Sequence, residues 1–506
     1  MFAGIFAVVL VIPPILRSIP VIIARRKVQE EVEVLDSYVR KIYKKLKALI
    51  GPTKVKELLE ERRKTGTHVS RRNFLASSAL ALGLLGSLLT QRANGVLSGR
   101  DLEKSLALLD RSALAVSVDV IKSRDEYLNW LGVKKVDRPT YERYIVQDPL
   151  PAVDSTKLSF GKLTPEEEEP LLKRFPPKPA NPATMDADTR IIFELGQTLR
   201  VINTKIYELK KQYRPVSEAK LPVSDPSKMA FIIKKFGTML GAAYIGITKT
   251  KPNIHISTST KEYYENTIII AEAQPLHWTR AATAPGTSSH FSSPTSFYGY
   301  SRMAFNSQIL TEFIRGLGYN AFGHGTEGIF LVPMAIDAGV GEAGRIARVI
   351  APDYGATIRL AVVTTDLPLE YDKPISFNIH EFCMRCEICA DVCPADVRPR
   401  GPPGPPRMSL NRPGMNFWYD GPGCRAYWQA GGNNWSSCYR CHAFCPWSEP
   451  RTWYHDLAKW AAINTGSVGI DMLVSMAKAD LQNLELKPSD VLWDPELPAY
   501  PIGQRM

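Results

Sequence analysis

All eight cysteines of this 506-residue chain fall between Cys383 and Cys445, in two runs that each close on Cys-Pro. The first run is Cys383, Cys386, Cys389 and Cys393, followed by Pro394; the second is Cys424, Cys438, Cys441 and Cys445, followed by Pro446. Intervals of two, two and three residues wrap a chain around a four-iron cluster, and in paired runs the last cysteine of each reaches across to the other cluster. The second run departs from this by a gap of thirteen residues after Cys424. The expected ligands are therefore Cys383, Cys386, Cys389 and Cys445 for one 4Fe-4S cluster, and Cys424, Cys438, Cys441 and Cys393 for the other. Paired Cys-x2-Cys also ligates zinc, but three closely spaced cysteines and a Cys-Pro close, twice over, favour iron and sulfide. Such a chain moves electrons. Between the runs, Pro402-Pro403-Gly404-Pro405-Pro406 forbids regular structure and reads as a loop joining two cluster lobes.

With 44% apolar and 23% charged residues, the composition is that of a globular protein long enough for two or three packed units. The net charge of +12 invites a nucleic-acid partner, yet nearly all of the excess lies in residues 1–95. The rest is close to neutral, so no nucleic-acid role is expected. With every cysteine assigned to a cluster, the compartment must be read elsewhere. It is read in Ser70-Arg71-Arg72-Asn73-Phe74-Leu75 and the apolar run from Ala76 to Leu89, which look like a twin-arginine (Tat) export signal. That route carries folded proteins, as suits clusters inserted before export. Ahead of it, residues 1–24 are almost wholly apolar and long enough to span a bilayer. Residues 25–69 form a basic stretch with Val32, Leu35, Val39, Ile42 and Leu46 at helical spacing. The open readings are a membrane hairpin made with the signal core, or else a mis-called upstream start or a leader removed with the signal.

The expected organisation is a possible membrane segment (1–24), a basic amphipathic stretch (25–69), the signal region (70–95), a catalytic core (96–374), a two-cluster unit (375–450) and a C-terminal extension (451–506). Within the core, residues 149–183 read as an irregular Pro-rich loop and residues 186–213 as helical. From there the pattern alternates: a helix over 227–240, strands over 242–247 and 267–271, a helix over 301–317, and strands over 330–336 and 358–364. Alternation of this kind predicts an α/β or α+β sandwich. Gly339-Val340-Gly341-Glu342-Ala343-Gly344 is a literal G-x-G-x-x-G, but no acidic residue ends a second strand at the right distance. What it does indicate is backbone tight enough to approach a bulky cofactor closely.

Phe313-Ile314-Arg315-Gly316-Leu317-Gly318-Tyr319, the segment Ile336 to Arg345, and Thr365-Asp366-Leu367-Pro368-Leu369 stand between the twin-arginine segment and the two cysteine runs. In that order these features resemble the catalytic subunit of corrinoid-dependent reductive dehalogenases from organohalide-respiring bacteria. The resemblance runs from Ser70 to the C-terminus. It implies an α+β fold, with a nitroreductase-like corrinoid-binding core and a C-terminal two-cluster ferredoxin-like unit. It also implies a base-off corrinoid, two 4Fe-4S clusters, and removal of halogen from a small organohalide with two electrons and a proton, in anaerobic organohalide respiration. Gly339, Gly341 and Gly344 then become candidates for contact with the corrinoid. The implied partners are a small integral-membrane anchor protein and a membrane electron-transfer chain, at the outer face of the cytoplasmic membrane. The Asp-x-His-x-x-Gly cobalamin box is absent from this chain, as it is from that family.

The resemblance further implies a tyrosine proton donor with a cationic side chain about sixty residues on, which Tyr300 and Arg359 match. The chemistry asks for such a pair: cleaving a carbon–halogen bond leaves radical or carbanion character that a positioned acid must quench. A phenol titrates near ~10, and a guanidinium beside it favours the phenolate and makes it a better donor. Tyr298 is the neighbouring competitor. An amide the family often adds falls at Thr326 here, leaving His324 or Glu327 as substitutes. Phe417, Trp418, Tyr427, Trp428 and Trp435 are candidates either for lining an apolar pocket or for core packing. Two rivals remain: an epoxyqueuosine reductase-like enzyme acting on tRNA, and a plain electron carrier without cobalt.

Overall fold

The structure, a computed structural model, describes residues 123–154, 181–209, 212–283, 292–325, 328–404, 412–416, 438–451 and 453–481, with scattered positions between and after them. The expected membrane segment, basic stretch and export signal, and most of the Pro-rich loop, lie outside the described residues. Among the described residues no helix is long and apolar enough to cross a membrane.

In chain order the described elements begin with α1 (Arg124–Leu131), β1 (Lys134–Lys135), α2 (Ala187–Leu209), α3 (Pro226–Met239), β2 (Tyr244–Lys249) and α4 (Pro252–His255). They continue with β3 (Asn266–Ala273), α5 (Leu276–Ala281), α6 (Ser292–Gly316), β4 (Ala321–His324), α7 (Leu331–Asp337), β5 (Glu342–Ala343), β6 (Val349–Ile350) and β7 (Ile358–Thr365). The last are β8 (Ile375–Ser376), α8 (Ile379–Cys386), α9 (Ile388–Asp391), α10 (Arg440–Ala443), α11 (Trp453–Asn464) and α12 (Ser467–Asp480). The chain divides into two compact units: Met1–Leu131 with Thr452–Met472 and Met506, and Gly132–Arg451 with Leu473–Arg505. In the first, α1 and α11 are joined where Tyr127 donates to the buried Asp456 carboxylate at 2.7 Å and Asn464 donates to the Leu131 carbonyl at 2.8 Å.

The second unit is organised by a four-stranded sheet in the order β2-β3-β7-β4. Every pairing in it is antiparallel, the α+β arrangement rather than the parallel α/β one. β3 reads Asn-Thr-Ile-Ile-Ile-Ala-Glu-Ala, and its β-branched run is buried on both faces. Because side chains alternate along a strand, Ile268 and Ile270 join Ala361 and Val363 of β7 on one face, against Met229 and Ile233 of α3 and Met303, Leu310 and Ile314 of α6. Ile269 and Ala271 join Ile358 and Val362 on the other, with Val332, Met334, Ala335 and Ile336 of α7. Ile268, Ile269 and Ile270 are fully buried, each contributing about 1.5–3 kcal/mol. Asp225 starts α3 by accepting from the Ser227 and Lys228 amides, with Pro226 at the first helical position.

One element departs from the sequence expectation. Residues 330–336, read as a strand, fall instead in the helix α7 and at its N-cap, Phe330. All of them but the half-buried Leu331 are buried, and a short, wholly apolar run carries no periodicity by which to tell a strand from a buried helix. Pro333 falls in the first turn, where its missing N–H removes no helical bond. The G-x-G-x-x-G run opens no helix; it contributes β5, paired with β6.

Candidate active site

Glu272 of β3 and Arg359 of β7 are direct cross-strand partners. Opposite residues of an antiparallel pair point to the same face, here the face covered by α6. Gly299 of that helix lies so close that a Cβ there would run into the Arg359 side chain. This close approach lets the guanidinium lie over the ring of the next residue, Tyr300, with Cζ 4.0 Å from the ring centre, a cation–π arrangement. Tyr298 is two residues away, hence on another side of the helix, and its ring packs edge-on against Trp278 at 5.8 Å. The structure therefore sets Tyr300, not Tyr298, against Arg359.

The same guanidinium reaches a third element. Arg359 Nη2 donates to the Tyr439 hydroxyl at 2.6 Å, and Gln274 Nε2 donates to it at 3.0 Å. With two bonds accepted, the hydroxyl's own proton goes to Ser296 Oγ, 2.9 Å away. Burial opposes the charge of Arg359, but the Tyr439 and Tyr300 oxygens more than offset this and hold its pKa above the usual value. Arg359 Nε is buried and, among the described residues, has no hydrogen-bond partner. Beside this group the Glu272 carboxylate accepts from Asn306 and lies 3.7 Å from Arg302 Nε. Burial nevertheless pushes the Glu272 carboxyl up to about 7.

Tyr439 belongs to the second cysteine run, between Cys438 and Cys441. It has a left-handed backbone (φ 59) and caps the start of α10, which carries Cys441. Glu387 does the same in the first run (φ 51), between Cys386 and α9, which carries Cys389. None of the eight cysteines is joined in a disulfide. Cys389 lies within electrostatic reach of Cys383 and Cys386, and so does Cys445. Cys438 lies within reach of Cys441, Cys424 and Cys393. Cys441 is also within reach of Cys389 and Cys445, so the two groups adjoin. Burial pushes Cys383 up to about 11 and Cys386 up to about 12. Thiols so placed stay protonated unless positive charge is brought among them, as bound metal does. Backbone amides already point at the sulfurs: Arg345 N–H at Cys383 Sγ (3.4 Å) and Val397 N–H at Cys393 Sγ (3.5 Å). This donor set fits iron–sulfur clusters. Among the described residues no three His, Cys, Asp or Glu side chains gather closely enough to hold a single metal ion.

No protein-family model matches the chain. Over 177 residues it is 40% identical to a tetrachloroethene reductive dehalogenase of Desulfitobacterium hafniense, covering 34% of this chain and 31% of that protein. Over 173 residues it is 36% identical to the tetrachloroethene reductive dehalogenase of Sulfurospirillum multivorans, covering 34% of each. The chain thus spans about a third of the length of these curated relatives. In three dimensions it resembles the catabolic reductive dehalogenase NpRdhA with a TM-score of 0.57 at 24% identity, over 70% of this chain and 49% of that one. Over that third of its length the chain is similar to reductive dehalogenases.

In this structure the three candidate glycines face protein. The space a Cβ would need at Gly339 and Gly341 is taken by the carbonyls of Lys373 and Ile350, and at Gly344 by the Ile350 side chain, with Cys383 Sγ at 3.8 Å. The close approaches these glycines allow in the structure are thus to the protein itself. His324 is buried on β4, with Nε2 2.9 Å from Thr364 Oγ1; Thr326 and Glu327 lie outside the described residues. Trp418 is fully buried, donates to the Gly401 carbonyl at 2.7 Å and lies under the Arg345 guanidinium at 5.0 Å. It packs as core. Phe417, Trp428 and Trp435 lie outside the described residues. Sequence reasoning missed Tyr439, Gln274, Ser296 and Glu272; only Tyr439 had a visible signal, its place inside a Cys-x2-Cys.

Proposed function

We propose that this protein is a reductive dehalogenase acting on a small halogenated organic compound in anaerobic organohalide respiration, with a base-off corrinoid and two 4Fe-4S clusters. The observation that carries the reading is a single guanidinium, Arg359, stacked on Tyr300 and bonded to Tyr439, which sits between two cysteines of the second run. The proposed ligands are Cys383, Cys386, Cys389 and Cys445 for one cluster, and Cys424, Cys438, Cys441 and Cys393 for the other; the grouping of the thiols supports these sets. The buried Arg359 Nε, without a hydrogen-bond partner among the described residues, is a donor suited to a polar group of bound corrinoid or substrate. When bound, the clusters would pass single electrons and the corrinoid would supply the reductive chemistry at the carbon–halogen bond.

The net reaction takes R–X, two electrons and a proton to R–H and halide. Tyr300 is the proposed proton donor, from its hydroxyl to the reacting carbon. Arg359, lying over the ring, stabilises the phenolate left behind and fixes the ring's orientation. Tyr439, itself fixed by Gln274 and Ser296, holds Arg359 in place. A nitroreductase-like core, a ferredoxin-like cluster unit, Tat export to the outer face of the cytoplasmic membrane, a small integral-membrane anchor protein and a membrane electron-transfer chain complete the proposal; no nucleic-acid partner is proposed.

Iron and cobalt content of anaerobically purified, corrinoid-supplemented protein tests it. Eight irons' worth of cluster with cobalt near one per chain, and halide release from an organohalide, is the expected result. Iron without cobalt after reconstitution would leave an electron carrier, and zinc in place of iron would overturn the cluster reading.

A further inference from the structure

We propose that Arg398 is a buried charge shared by the two cluster sites, raising the reduction potentials of both clusters together. The inference rests on the proposed cluster ligation. Arg398 is 4% exposed. It stands five residues after Cys393, past a turn in which Asp396 adopts a left-handed backbone (φ 52) and the Val397 amide points at Cys393 Sγ. Its Nη1 donates to the Ile346 carbonyl at 2.9 Å, and its Nη2 lies 3.7 Å from Cys441 Sγ. Its charge also acts on Cys389. Cys441 and Cys389 fall in different ligand sets, so one guanidinium serves both.

A second buried arginine supplies the contrast. Arg345 is 1% exposed and donates from Nε and Nη2 to the Cys383 carbonyl, at 3.1 and 2.8 Å, while its own amide points at Cys383 Sγ. Its other contacts among the described residues, with the Pro399 carbonyl (2.6 Å), Glu387 (3.3 Å) and the Trp418 ring (5.0 Å), include no thiol of the second set. Adding an electron makes a cluster more negative, and a fixed cation nearby in a poorly screened interior favours that state. Arg345 would therefore act on one cluster and Arg398 on both. An arginine stays charged across the accessible pH range, so the effect is constant rather than switchable.

The experiment is a potentiometric titration followed by electron paramagnetic resonance on the full-length protein with clusters assembled. In R398Q both cluster signals should move to lower potential, by a tenfold change in the reduction equilibrium or more, about 59 mV for one electron. R398K, which keeps the charge, should stay near the starting values, and R345Q should lower only one signal. An R398Q protein in which either potential is unchanged overturns the proposal. Loss of iron from R398Q and R398M but not from R398K would make the charge a requirement of assembly, and overturns it too. Absence of two cluster signals from the unsubstituted protein would instead sink the cluster reading itself.

Discussion

Arg359 donates through Nη2 to the hydroxyl of Tyr439 at 2.6 Å, and this one bond ties the candidate proton-transfer site to the second cysteine run. Y439F removes the acceptor and leaves a guanidinium N–H unpaired in the interior, a loss of about 1–3 kcal/mol. The variant should keep its iron, unfold at lower denaturant concentration, and turn over at least about tenfold more slowly. Unchanged turnover would show that Tyr439 does not position Arg359 for the reaction.

Tyr300 carries the proposed proton. Y300F keeps the ring under Arg359 and so should keep clusters, corrinoid and fold, while halide release falls by roughly 10²–10⁴. Full activity in that variant would refute the assignment, and Y298F is the control that should remain active.

Gly299 is where α6 approaches Arg359. In G299A the added methyl meets the arginine side chain, so the guanidinium must shift off Tyr300, at about 1–3 kcal/mol for overpacking. Turnover should drop with iron content unchanged. Normal turnover together with an unchanged thermal midpoint would contradict the packing described.

Glu272 gives a pH dependence. Burial raises its carboxyl from an ordinary 4.5 to about 7, so the fold favours the neutral acid. That contribution to stability is fully present below pH 4.5 and is lost as pH rises through 7. E272Q stays neutral throughout, so from pH 5 to 8 it should gain on the unsubstituted protein by on the order of 3 kcal/mol. Glu342, also pushed up to about 7, titrates in both proteins and cancels. Urea unfolding midpoints at the two pH values give the comparison. A constant difference across the range would mean that Glu272 is ionised in the fold.

The crossed ligand sets predict which cysteine variants resemble each other. Cys445→Ser should perturb the same paramagnetic signal as Cys383→Ser, although the two positions lie in different runs. Cys393→Ser should perturb the other signal, along with Cys438→Ser. Grouping by run instead would refute the crossing.

Legibility in the sequence differs from feature to feature. The cysteine spacing could be read directly, because ligand intervals around a cluster are local geometry. The strands β2, β3 and β7 were visible in β-branched runs, and α3 and α6 in their helical spacing. α7 was misread, since a short apolar run leaves no polar face to mark its period. Tyr300 and Arg359 came from a resemblance; nothing in their immediate neighbours distinguishes them from packing residues.

The sequence by itself therefore determined where eight thiols gather, that helices and strands alternate, and that the basic excess lies ahead of residue 96. Only the tertiary structure decided that Glu272 faces Arg359 across a strand pair, that Gly299 admits the guanidinium to Tyr300, and that Arg398 reaches Cys441 while its charge acts on Cys389. The reason is physical. Spacing and periodicity are set by the covalent chain over a few residues, whereas these contacts join segments tens of residues apart. They exist only once the sheet register and the packing of α6 upon it are fixed.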